Sequence, residues 1–135
     1  MLSEKLQKVL IVDGKDQHLN EDNAFVIHPK KLSLANVIQK ESFEKAIVKN
    51  TPSEYLKALG FFNIFQTLKQ GGICEVYVDQ PIAVMQAVEA EEIEANAKLG
   101  GFTSITKQDY EEWEKQGETD VKIQTIKLNM IKAAK

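Results

Sequence analysis

The chain has 135 residues, 43% of them hydrophobic and 27% charged, with a formal net charge of -3. This is the composition of one globular domain with a core of its own, neither a disordered tail nor a polycation. All 17 basic residues are lysine and there is a single cysteine, which excludes arginine forks for phosphate or guanine, intramolecular disulfides and cysteine-bound clusters.

Lys8 to Asp13 is a β-branched run ending at Gly14, which reads as a buried strand entering a turn. Lys15 to Asn23 is polar and without helical period, so a loop stands where an α/β domain would place its first long helix. Phe25 to Ile27 reads as a short strand stopped by Pro29, and Ser33 as the cap of a brief helix. Phe43 to Val48 reads as a third strand. The next helix should start at Thr51 as its cap, with Pro52 in the first position and Glu54 completing a capping box. Its apolar stripe would be Tyr55, Leu56, Leu59, Phe62, Phe65 and Leu68, widened by Phe61 and Ile64, and Gly71 would end it in the left-handed region.

Ile73 to Val78 reads as the next strand, with Cys74 as a small core residue. A second helix should run from Ile82 to Leu99, burying Val84, Val88, Ala95 and Leu99, exposing Glu89, Glu91, Glu92 and Glu94, and ending at Gly100. Phe102 to Thr106 reads as a strand, Asp109 to Gln116 as a helical turn and Gly117 to Asp120 as a loop. Val121 to Ile131 alternates but changes phase midway, from Val121 and Ile123 to Ile126, Leu128 and Met130, which predicts a β-bulge near Thr125 and Ile126.

The order strand, helix, strand, helix, strand, strand predicts an α/β fold with a mixed, mainly parallel sheet, helices on its faces and an antiparallel C-terminal edge strand. Leu68-Lys69-Gln70-Gly71-Gly72 resembles the Leu-Lys-Pro-Gly-Gly turn before the fifth strand of class I S-adenosylmethionine-dependent methyltransferases, and Gly101-Phe102 resembles the start of their sixth. The chain then reads as one truncated methyltransferase-like domain, with a reduced front half over 1–42 and a preserved half over 43–131. Within that class it is most similar to the N-terminal methyltransferase-like domain of the anamorsin family, an iron-sulfur assembly factor whose N-terminal domain is catalytically silent.

The resemblance also says where chemistry should sit. A working member needs a Gly-x-Gly turn after the first strand and a carboxylate after the second. Here the first offers Asp13 and a lone Gly14, and the second leads into His28-Pro29, with Glu21 and Asp22 placed ahead of it. Asn50-Thr51-Pro52-Ser53 lacks the second proline and the aromatic of the loop that holds a target amine. His18 and His28 have no third ligand at metal-binding spacing. We therefore expect no catalytic residue, no cofactor unless through Asp13 and Gly14, and no metal. The expected role is a non-catalytic, cytoplasmic interaction module or small subunit of a larger protein assembly, without nucleic acid or membrane insertion. Phe61, Phe62, Tyr110 and Trp113 are the candidate partner contacts. The alternatives are an anamorsin-like docking factor and a divergent S-adenosylmethionine-binding protein or methyltransferase.

Overall fold

A computed structural model describes residues 9–15, 24–32 and 41–133. The strands are β1 (Val9–Asp13), β2 (Ala24–Ile27), β3 (Phe43–Lys49), β4 (Leu68–Tyr77), β5 (Ser104–Gln116) and β6 (Thr119–Ile131), and the helices are α1 (Ala58–Thr67) and α2 (Ala83–Gly100). They form one sheet in the order β2-β1-β3-β4-β6-β5. β1 pairs in parallel with β2 and β3, and β3 with β4, whereas β6 runs antiparallel to both β4 and β5. The mixed sheet with an antiparallel edge is as expected. The C-terminal strand belongs to that edge and lies just inside it, with β5 outermost.

Paired residues share a face, so the register separates two sides of the sheet. One side carries Leu10, Val12, Ala46, Val48, Cys74, Val76, Leu128 and Met130, and buries them beneath Phe61 and Ile64 of α1, Ala90, Ile93 and Ala97 of α2, and Phe102. Burial pushes the Cys74 thiol well up, with the Glu75 charge adding to the effect, so the residue serves packing. On the other side, Glu75 bridges Lys45 at 3.2 Å and Lys127 at 3.3 Å across three strands. The same side carries Ile11 and Ile47 in the row of Glu75, and Ile73 and Ile131 at one end.

Several elements differ from the sequence reading. α1 begins at Ala58, not beside Thr51, whose hydroxyl instead donates to the Lys49 carbonyl while Ser53–Tyr55 forms a short 3-10 turn. Asn50, at φ 51, turns the chain across the strand ends and so delays the helix. The buried side of α1 is Gly60, Phe61, Ile64 and Thr67, while Leu59 and Phe62 face outward. Gly71 does take φ 82, but within β4. Phe43 pairs with Leu68 and Lys45 with Ile73, so Lys69 to Gly72 arch out of the ladder. Gly71 and Gly72 close that arch on the Lys132 backbone, at 2.8 and 2.9 Å.

α2 is turned over: Gln86, Ala90, Ile93, Ala97 and Gly100 are buried, while Val84, Val88, Ala95 and Leu99 face outward. Gly101 at φ 126 stops it, through bonds from the Gly101 and Phe102 amides to the last turn, and Gly100 packs against the α1 backbone at Phe61 and Phe62. Asp109 to Gln116 is strand, not a helical turn, and pairs without a break from Ser104↔Ile131 to Gln116↔Thr119. No bulge interrupts Thr125 and Ile126. The phase change instead puts Leu128 and Met130 under the helices and Val121 and Ile123 on the opposite face. The brief helix expected after Ser33 lies outside the described residues.

Candidate functional site at the strand ends

β1, β3 and β4 run in parallel, so their carboxyl ends gather at one side of the sheet, where open α/β folds receive ligands. The outer part of the β5–β6 hairpin rises beside them. Between them lies a cleft of about 580 Å³, with Lys15, Lys49 and Asn50 on one wall, Tyr77 to Pro81 at the base, and Tyr110, Glu112, Ile123 and Thr125 on the hairpin.

The cleft is held by its own side chains. The Tyr77 and Tyr110 rings meet edge to face with centroids 4.7 Å apart, and the Lys49 ammonium lies 4.9 Å over the Tyr77 ring. The Tyr110 hydroxyl donates to Glu112 Oε2 at 3.0 Å, and the same oxygen is 3.9 Å from Lys49 Nζ. Burial, followed by the Glu112 hydrogen bond and charge, pushes the Tyr110 phenol up to about 12. Burial and the Glu75 and Glu112 charges raise Tyr77 in the same direction. Both phenols are therefore donors at neutral pH, and neither can act as a base there.

At the end of β1, the Asp13 carboxylate is buried and accepts from the Lys15 amide at 2.8 Å and from Asn50 Nδ2 at 2.9 Å. A Cβ on Gly14 would press on the Asn50 carbonyl oxygen. The lone glycine thus serves a close approach between β1 and β3, in the place where a ligand would need backbone access. After β2, His28 Nδ1 accepts from the Lys30 amide and caps the turn Pro29–Lys31. At both positions where the resemblance would put contacts to S-adenosylmethionine, the described side chains make hydrogen bonds within the chain.

The candidate partner residues are not brought together. Phe61 is fully buried and packs edge on against Phe102, because the inward side of α1 falls on it and not on Phe62; it is a core residue and offers no contact. Phe62 is 45% exposed on the helix layer. Tyr110 lies in the cleft, and Trp113, 70% exposed, sits on the opposite face of the hairpin. His18, Glu21 and Asp22 lie outside the described residues. Among the described residues no three His, Cys, Asp or Glu side chains could hold a metal ion, and no helix is long and apolar enough to cross a membrane.

Two structural polar residues escaped the sequence reading. Lys132 is buried, with Nζ donating to the Phe65 and Leu68 carbonyls at 3.0 and 2.8 Å, and so caps the carboxyl end of α1. Its signal was parity, since it continues the buried series Leu128 and Met130. Gln86 Nε2 donates to the Gln80 and Gln124 carbonyls at 2.7 and 2.8 Å and ties α2 to the hairpin. Nothing local marks that role.

No family model and no curated protein matches the chain. Solved structures do. An S-adenosylmethionine-dependent methyltransferase from Thermotoga maritima, described as a possible histamine N-methyltransferase, superimposes with TM-score 0.56 at 13% identity, covering 93% of this chain and 82% of its own. An S-adenosylmethionine-dependent O-methyltransferase from the same organism gives 0.57 at 11%, covering 100% and 63%. The tRNA (m1A58) methyltransferase of Aquifex aeolicus gives 0.57 at 11%, covering 97% and 64%. The fold is that of the class I S-adenosylmethionine-dependent methyltransferases. At these identities the likeness concerns fold alone, and the chain spans less than two thirds of two of these structures.

Proposed function

We propose that the protein is a non-catalytic methyltransferase-like module that acts by docking to other proteins in a larger assembly. The observation that supports this reading is the turn at Asp13 and Gly14, where a single glycine stands in place of a Gly-x-Gly turn and packs closely on Asn50, and the Asp13 carboxylate is tied to Asn50 and the Lys15 amide. A second observation supports it: the outer faces of α1 and α2 expose Leu59, Phe62, Val84, Val88 and Leu99, an apolar series that a free domain gains nothing by displaying. Service to iron-sulfur assembly in the manner of anamorsin is a narrower form of the same reading, and co-purification with a flavoprotein would support it.

The test is transfer itself. Purified protein incubated with methyl-labelled S-adenosylmethionine and a size-fractionated lysate should leave no more label on any fraction than a heat-denatured control. Label transferred above that control would overturn the reading in favour of a divergent methyltransferase.

A further inference from the structure

β5 is the outermost strand of the sheet, and its 13 residues are exposed or half-buried throughout. β4 accompanies β6 only from Ile73↔Ile131 to Tyr77↔Lys127, so the hairpin beyond that point is a two-stranded arm. Its inner edge is tied down: the Val78 amide donates to the Ile126 carbonyl, the Thr125 hydroxyl to the Val78 carbonyl, and Gln86 to the Gln124 carbonyl. Its outer edge, along β5, has no neighbouring strand among the described residues.

An open edge of this length invites self-pairing, and charge is the usual means of preventing it. From Asp109 to Lys122 the arm holds six carboxylates against two lysines, an excess of four negative charges where the whole chain has a net charge of -3. The charges are not confined to one face. By register, Asp109, Glu111 and Trp113 lie on the helix side of the sheet, and Tyr110, Glu112 and Glu114 on the cleft side. Glu111 is paired with Lys122 at 3.1 Å and Glu112 is held by the Tyr110 hydroxyl, so the β5 carboxylates left to meet a neighbour are Asp109, with Trp113 on its face, and Glu114 on the other. Another acidic edge is repelled, whereas a basic strand would meet a complementary charge on both faces.

We infer that the outer edge of β5 is a docking edge for an extended, lysine- and arginine-rich segment of a partner protein, which adds as a seventh strand. Main-chain hydrogen bonds would hold it, and because both faces are acidic the segment should be basic at successive positions and not at alternate ones. Trp113 would stack against one of its cations. This rests on the docking reading above and names the chemistry of a partner. Peptide binding and methyl transfer are separate measurements, so either can fail alone.

Trp113 is the only tryptophan, so its emission reports directly on the arm. The full chain is titrated at low salt with three short peptides: one carrying consecutive lysines and arginines, the same peptide N-methylated at alternate residues, and an acidic counterpart. The basic peptide is expected to shift Trp113 emission saturably and to slow hydrogen exchange at alternate β5 amides. N-methylation should abolish both effects, since methylated nitrogens cannot donate to the edge. Asp109→Asn with Glu114→Gln should weaken the basic peptide at least about fivefold, because two of the charges that attract it are gone. Equal binding of the N-methylated peptide would overturn the proposal by reducing it to general polycation attraction. Absence of binding by the basic peptide, or binding of the acidic one, would overturn it as well.

Discussion

Lys132 joins the last strand to the first helix. Its ammonium satisfies two carbonyls at the end of α1 and lies 4.6 Å over the Phe65 ring. Lys132→Met keeps the aliphatic bulk and removes both donors, leaving two inward carbonyls without this partner. We expect a loss of about 2–3 kcal/mol, the scale of a charged hydrogen bond and the desolvation left behind, read as a lower urea midpoint at unchanged slope. Tyr110 makes a pH-dependent contribution. Its pKa is raised from 10.0 to about 12, so the folded state keeps the proton where the unfolded state has lost it. The stability this supplies is complete below pH 10 and is lost as pH rises through about 12. Melting curves across that window should fall less steeply for Tyr110→Phe than for wild type, and an identical pH dependence would rule out the Tyr110 contribution.

The two helices show where periodicity stops being decisive. On α2, Val84, Val88, Ala95 and Leu99 have one helical spacing, and Gln86, Ala90, Ile93, Ala97 and Gly100 have nearly the same spacing two residues on. Two residues turn a helix by more than half a circle, so these sets are its opposite sides. The sequence favours the larger side chains, but the structure buries the smaller ones, because alanine and glycine let α2 lie close to α1 and the sheet. A Cβ on Gly100 would come within 2.6 Å of Phe61 Cβ and 2.8 Å of the Phe62 nitrogen. Gly100→Ala would gain up to about 1 kcal/mol in helix propensity. Overpacking at this contact costs about 1–3 kcal/mol, so we expect net destabilisation in a denaturant titration. The hairpin was hidden for another reason. Asp109 to Gln116 is rich in Glu, Lys and Gln, which favour helix in isolation, and only its pairing with Thr119 to Ile126 makes it a strand.

Across the whole molecule, the order of strands and helices from Phe43 onward was legible, because glycine turns and apolar runs punctuate it locally. The fold class followed from that order. The site was not legible in the same way. Asp13 and Gly14 were visible as the remains of a cofactor turn, but their junction with Asn50 spans 37 positions and leaves no local pattern. The cleft likewise depends on Tyr77, Tyr110 and Glu112 meeting across strands that the sequence does not show to be neighbours. The proposed function turns on that junction, since it stands where a methyltransferase fold would hold its cofactor. Calorimetric titration of the purified chain with S-adenosylmethionine, repeated with S-adenosylhomocysteine, tests it most directly. The account predicts no saturable heat with either compound; a micromolar isotherm that Gly14→Ala abolishes would place the cofactor against the first strand turn and contradict it.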